Sequence, residues 1–193
     1  MYFVEGDYKS RLEQFKTACM SIKKDIVVQE LISQNKTISA MNPTSINTVR
    51  VLSLLTQNDV KIYSSILRMG VDGNRVDNIS QGGIACGISR NGVLKKCAYN
   101  YRGDRYYKHP TTGIEFNNIK IPNYNEIVNL VKKAHPAIPK FRLVSWDIVL
   151  DNNAMPLLLE ANLCYGELNL HQLCNGAIFG NDTEDVLKEI FLV

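Results

Sequence analysis

The sequence lacks a long apolar run. No stretch approaches the ~20 residues that a membrane-spanning helix needs, and Tyr2 to Arg11 is polar, so neither a membrane span nor a signal peptide is expected. It also lacks a block of like charge. Lys and Arg number 22 against 19 Asp and Glu, a net charge of +3, and no basic run marks a nucleic-acid surface. A mild positive balance suits an anionic small molecule. Cys-x-x-Cys is missing, and the five cysteines, Cys19, Cys86, Cys97, Cys164 and Cys174, are odd in number and scattered. They read as reduced core thiols of a cytoplasmic protein. His171 lies between Cys164 and Cys174, but the spacing fits no standard zinc finger. There is no G-x-x-x-x-G-K-[ST] phosphate loop, no internal repeat, no low-complexity tract and no composition break.

What is present is ordinary globular composition: 193 residues, 45% hydrophobic and 21% charged, enough for one domain with a sizeable core. Lys9 to Ile22 has helical spacing, with Leu12, Phe15, Cys19 and Ile22 on one stripe. DIVVQELIS is a short β-branched run of the kind found in buried strands, and NKTISAMNPTS a polar connection. SINTVRVLSLL and VKIYSSILRMG predict an antiparallel hairpin closed by Thr56 to Asp59. After the loop VDGNRVDNISQGG, IACGISRNGVLKKCAY predicts a second hairpin turning at Arg90-Asn91-Gly92, and Asn100 to Pro122 an irregular excursion. Asn123 to Ala134 is the clearest helix, with Asn123 as cap, Glu126 three residues on, and Ile127, Leu130, Val131 and Ala134 as its stripe. RLVSWDIVL and PLLLEANL predict two more strands. Asp182 to Phe191 predicts a closing helix capped by Asp182, with Val186, Leu187 and Ile190 inside. This is an α+β pattern, a mostly antiparallel sheet flanked by helices.

The unusual feature is polar. Asp147, Glu160 and Asn162 stand among aliphatic residues in SWDIVLDNNAMPLLLEANL. Folding that segment symmetrically about Asn153-Ala154 puts Leu150 opposite Leu157 and Asp147 opposite Glu160. Ser145, Asp147, Glu160 and Asn162 then share one face, and the other face is almost wholly apolar. Two carboxylates directly opposite repel. Two readings remain open: a one-sided sheet with a solvated polar face, or a divalent cation held by hard oxygen donors of the kind Mg²⁺ takes.

An Asp, a Glu thirteen positions on and an Asn two beyond it resemble the metal-binding hairpin of ATP-grasp ligases. Other segments follow in that superfamily's order. IVVQELI resembles the hinge strand that holds adenine, SINTVRV and ILRMG the strands bearing phosphate- and substrate-facing arginines, and VDNISQGGI the Asn…Gly-Gly segment after them. HPTTG, SWD, LLEAN and HQLCNGAIFG resemble the sugar-transfer-associated (hexapeptide-transferase-linked) ATP-grasp group. The resemblance runs from about Asp25 onward. It implies the C-terminal part of an ATP-grasp fold, with residues 1–33 closing the first lobe and forming the hinge and residues 34–193 forming the metal- and phosphate-binding lobe. It implies ATP and Mg²⁺ as cofactors and a carboxylate-bearing small molecule or sugar as partner. The carboxylate would be activated as an acylphosphate for attack by an amine or hydroxyl. By the same resemblance Asp147, Glu160 and Asn162 hold metal, Arg50 and Arg68 present planar donors to phosphate or carboxylate, and Asn78 lies near the transferring group. Gln29, Glu30, Leu31 and Ile32 contact the nucleotide.

The sequence also departs from that family. Only Gly6 precedes IVVQELI, so the glycine-rich lid over the phosphates has no counterpart, and Gln34-Asn35 stands where Gln-His would be expected. The expectation is a chain completed by a missing N-terminal lobe or a second chain. Three readings compete: a ligase lobe, a non-catalytic nucleotide- or partner-binding remnant, and a structural domain whose arginines pair with surface acids and whose hairpin is merely solvated.

Overall fold

The computed structural model describes residues 4, 6–22, 25, 30–57, 59–74, 77, 79, 82–164 and 166–191, with the side chains of 189–191 left aside. The chain divides into two compact units, Met1–Leu31 and Ile32–Val193. In the first, helix α1 spans Tyr8–Ser21, capped by Asp7, whose Oδ1 accepts from the Ser10 N–H at 2.8 Å. The helix forms where its spacing predicts, but none of its residues is buried, and Leu12 and Phe15 stay exposed.

The second unit is built on one seven-stranded antiparallel sheet. Its strands are β1 (Thr48–Leu55), β2 (Val60–Met69), β3 (Ile84–Ile88), β4 (Leu94–Tyr99), β5 (Arg105–Tyr106), β6 (Leu143–Leu150) and β7 (Pro156–Asn162), in spatial order β5-β4-β3-β2-β1-β6-β7. Both expected hairpins form, β1 with β2 and β3 with β4. The second turns through Ser89 to Val93, where Gly92 takes φ +80°; an added Cβ there would also meet the Tyr124 side chain at 2.6 Å. The excursion from Asn100 is irregular apart from the two-residue β5. Helices α2 (Lys36–Ser39), α3 (Tyr124–Ala134), α4 (Leu168–Asn175) and α5 (Thr183–Phe191) complete the unit.

The two faces of the sheet differ. One carries Val49, Val51, Leu67, Met69, Cys86, Trp146, Ile148 and Leu150, and buries them with Ile127 and Val131 of α3 and with Phe116 and Ile121. This is the main core, and each large side chain buried there contributes about 1.5–3 kcal/mol. Its few polar groups are paired. The His135 Nε2–H donates to Phe141 O at 2.8 Å, the Ser53 hydroxyl to His135 Nδ1 at 2.8 Å, and the Trp146 indole N–H to Ser53 Oγ at 2.8 Å. The other face carries Thr48, Arg50, Leu52, Ser64, Ile66, Arg68, Ser145 and Asp147, because residues two apart share a side of a strand. Helix α4 covers part of it, burying Leu170 and Cys174 against Ile66, Ile79 and Ala85.

Several expectations are corrected. Of DIVVQELIS, residues 26–29 lie outside the described ones. Asp25 and Glu30 to Ser33 form no strand, and Leu31 is 70% exposed. Positions 30–33 join no ladder. The polar connection after it contains α2, capped by Asn35, whose Oδ1 accepts from the Thr37 N–H at 3.0 Å. Asn123 does not cap α3 through its side chain. It sits at φ +48°, and its Nδ2 donates to Ala154 O at 3.0 Å. Asp182 lies in a 3₁₀ turn and accepts from Lys61 and Tyr63 rather than capping α5. Val186 is buried in α5 but Leu187 is 47% exposed, and the Ile190 side chain lies outside the described set. All five cysteines are unpaired, yet only Cys86 and Cys174 are buried. In the β6–β7 hairpin, Asp147 does face Glu160, but Leu150 faces Pro156 because a bulge interrupts the register between Asp147 and Ile148. On this edge strand Leu157, Leu158 and Leu159 are each about two-fifths exposed.

Candidate metal- and phosphate-binding site

The polar face is organised around Asp147. Cross-strand pairing sets Arg50 of β1 directly opposite it. The Arg50 guanidinium donates Nε to Asp147 Oδ1 at 2.7 Å and Nη2 to Oδ2 at 2.6 Å, a bidentate fork. Its Nη1 donates to Glu167, the residue before α4. Arg68 of β2 donates Nη1 to Asp147 Oδ2 at 3.2 Å and Nη2 to Asp77 Oδ1 at 3.3 Å. Asp77 also accepts from the Thr48 hydroxyl. Both arginines and Asp147 are buried, at 4%, 4% and 6% exposure. Charges so desolvated persist only when paired.

The electrostatics follow. Burial opposes the charge on Arg50, but the hydrogen bonds and field of Asp147, with Glu167 and Asp77 beyond, outweigh it and raise its pKa above the ordinary value. Burial pushes the Asp77 carboxyl up, against the pull of Arg68 and the Thr48 hydrogen bond. Two guanidinium charges face three carboxylates, and Glu160 adds a fourth at the Asp147 pairing position. The excess is negative, which suits a cation.

The oxygen donors for one are present. Glu160 is exposed. Asn162 donates Nδ2 to Ser145 O at 3.2 Å and to Asp147 Oδ2 at 3.4 Å, so it presents its N–H group to Asp147, and its carbonyl oxygen would reach a metal beside Asp147 only after the amide turns over. Asp147 Oδ1 takes one hydrogen bond, from Arg50 Nε, and keeps a second lone pair. Among the described residues no three His, Cys, Asp or Glu stand together as a metal cage. Two carboxylates and an amide, completed by waters and phosphates, is a donor set that fits Mg²⁺.

The structure thus brings together Arg50, Arg68, Asp147, Glu160 and Asn162 on one face. Gln29 and Asn78 lie outside the described residues. Glu30 and Leu31 belong to the first unit and are exposed, and Ile32 opens the second. Sequence reasoning missed Asp77, Glu167, Ser64 and helix α4. The signal for α4 was short but present: Leu170 and Cys174 are four apart, and Gly176, at φ +88°, stops the helix. That spacing also puts His171 and Asn175 on one stripe facing the sheet. His171 is fully buried and Cys164 exposed, so the spacing that suggested zinc does not gather these two in one environment.

A helix-flanked antiparallel sheet with a guanidinium–carboxylate face drawn from strands β1, β2, β6 and β7 defines the class, an α+β fold of ATP-grasp type. The chain belongs to the sugar-transfer-associated ATP-grasp family, whose family model matches residues 10–188. No curated protein and no solved structure matches it. Membership points to an ATP-dependent, ligase-like function. Among the described residues no helix is long and apolar enough to cross a membrane.

Proposed function

We propose that this chain is the metal- and phosphate-binding lobe of an ATP- and Mg²⁺-dependent ligase that activates a carboxylate. The γ-phosphoryl group of ATP passes to a carboxylate oxygen with release of ADP, and an amine or hydroxyl then attacks the acyl carbon and expels phosphate. The observation that carries the reading is the pairing of Asp147 with Glu160, and of Ser145 with Asn162, which puts three hard oxygen donors on the face that holds both arginines. Mg²⁺ held there would neutralise charge on the phosphate oxygens. The chain's own groups orient and shield. Arg50 and Arg68 lock the Asp147 carboxylate in one rotamer, and Asn162 braces it from β7. Residues 1–33 would end the first lobe and supply the hinge, with residues 29–32 against adenine and Asn78 near the transferring group. The family's link to sugar transfer supports a carboxylate-bearing sugar or small molecule as substrate, in polysaccharide or glycoconjugate synthesis. Five unpaired thiols go with a cytoplasmic setting.

One observation favours a second reading, a nucleotide- or partner-binding remnant. Arg50 already has donors committed to Asp147 and Glu167, so this guanidinium is paired without a ligand. The sequence upstream of residue 25 also has no glycine-rich lid, and phosphoryl transfer relies on positioning and electrostatics. The chain by itself is therefore expected to bind Mg–ATP weakly and turn over little. Robust steady-state ligation by the isolated chain would refute that expectation.

Thermal melts with Mg²⁺, ATP or both, on the wild type and on Glu160→Gln, test the main reading. A ligand at 100 times its Kd adds about 2.7 kcal/mol. A shift that needs both ligands and is lost in the variant supports the ligase site. A shift with ATP alone, retained in the variant, favours the remnant, and no shift under any condition removes both.

A further inference from the structure

The chain has three histidines, His109, His135 and His171, all fully buried. Two are structural, with both ring nitrogens occupied. The His109 Nε2–H donates to Gly70 O at 2.9 Å, while its Nδ1 accepts from the Thr111 and Thr112 N–H groups at 3.3 Å. His135 bridges Phe141 O and the Ser53 hydroxyl. His171 differs. Its Nδ1 meets Ser64 Oγ at 2.8 Å, and its Nε2 is buried without a partner.

The neighbours assign the ring's proton. The Asn175 Nδ2 group donates to Ser64 Oγ at 2.9 Å and to Ser65 O at 2.9 Å, using both of its hydrogens. Among the described residues Ser64 has no other acceptor for its hydroxyl hydrogen, so the arrangement that satisfies it donates that hydrogen to His171 Nδ1. Burial, and then the field of Arg50, push the His171 pKa down to about 3, against the pull of Asp147 and with Arg68 adding to the fall, so the ring is neutral. Its one proton therefore sits on Nε2, at the ring edge opposite Ser64. Its contact with Ser64, which shares a side of the sheet with Arg50, Arg68 and Asp147, seats the ring against the polar face, and those three are the charged groups that act on it. A buried donor left without an acceptor is a costly feature that calls for a ligand.

We propose that His171 donates its Nε2–H to an oxygen of a phosphoryl anion bound on the face of Arg50 and Arg68. The identity of that anion as the phosphate chain of ATP rests on the function proposed above; the donor itself does not. A neutral donor suits this place. It adds a directed hydrogen bond without a third positive charge beside two arginines, and the Asn175–Ser64 relay holds the ring in the tautomer and orientation required. His171 is a binding residue in this account, and Ser64 and Asn175 are positioning residues.

The test titrates the full chain with two probes, inorganic pyrophosphate and Mg–ATP. Imidazole ¹⁵N–¹H NMR reads His171 directly in the wild type, and calorimetry compares His171→Asn with His171→Gln. The Asn amide keeps the contact with Ser64 but ends short of Nε2, whereas the Gln amide reaches it. The expected result is a shift of the His171 Nε2–H signal on adding either probe, affinity weakened about 10–100-fold in His171→Asn, and affinity largely restored in His171→Gln. If the wild type binds Mg–ATP while the His171 signal and the His171→Asn affinity stay unchanged, the donor role is overturned and the ligase reading stands. A response to pyrophosphate but not to Mg–ATP keeps the donor and removes the nucleotide. No response to either, with the Nε2–H exchanging against water alone, overturns both. If His171→Asn does not fold, the wild-type NMR titration decides by itself.

Discussion

Replacing Asp147 with Asn is the most direct test of what holds the polar face together. The carboxylate takes two hydrogen bonds from Arg50 and one from Arg68, and the side chains of all three residues are 5–8% exposed. In Asp147→Asn one oxygen becomes an NH₂ that points donors at donors, and the charge that offset two buried guanidiniums is gone. Removing one partner of a buried ion pair costs about 3–5 kcal/mol. Glu167 remains for Arg50 and Asp77 for Arg68, so a loss near 3 kcal/mol, the lower end of that range, is expected. With a urea m-value of about 2 kcal/mol/M, the unfolding midpoint falls by about 1.5 M. Adding Arg50→Met to the same chain removes one of the two buried guanidiniums whose charge Asp147 offset, leaves the part-exposed Glu167 to water, and restores at least half of the loss. A midpoint within about 0.3 M of wild type, at unchanged m-value, would show that the cluster is solvated and would undo the electrostatic argument.

Three further outcomes are expected. Gly87→Ala puts a Cβ 2.4 Å from Asn175 Oδ1 and 2.8 Å from the Cys174 backbone oxygen; since the helix backbone must give way, it costs about 1–3 kcal/mol, read by chemical denaturation. Ala154→Gly relieves φ +61° at the tip of the β6–β7 hairpin and stabilises by up to about 1 kcal/mol, seen as a higher melting temperature. Burial lowers the pKa of His109 and His135, and takes that of His171 from 6.5 to about 3, so the unfolded chain binds protons that the folded chain refuses. Stability is therefore full above about pH 6.5 and falls as the pH drops, for His171 until the folded ring itself ionises near 3. His171→Asn makes the slope between pH 6 and 5 shallower by about 1 kcal/mol per pH unit, measured by urea midpoints across pH.

The site was more legible than the path of the chain around it. Asp147, Glu160 and Asn162 stood out because hydrogen-bonding side chains are expensive among aliphatics, and the period of two put them on one side. Arg50 and Arg68 were found through the family's order of segments, but what they hold was not. Both grip Asp147, and their other acidic partners come from the loop at residue 77 and from residue 167, far away in sequence. Glu30 to Ser33, the described end of DIVVQELIS, show the opposite: local propensity names a preference, and only a partner strand makes it a ladder. Helix α4 was overlooked because two turns are too short for its apolar spacing to stand out, and with it went the one histidine whose ring is half unsatisfied.

Taken alone, the sequence determined what short-range physics controls: which segments alternate and pair as neighbouring hairpins, where α3 begins and ends, and that two carboxylates must meet across a turn. Tertiary structure decided the rest. Which strands flank β1, the bulge that shifts the β6–β7 register, and the meeting of Arg50, Arg68, Asp77, Glu167 and His171 all depend on contacts between residues as many as 117 apart. Their energies come from burial and charge pairing, which exist only once the sheet has closed over them.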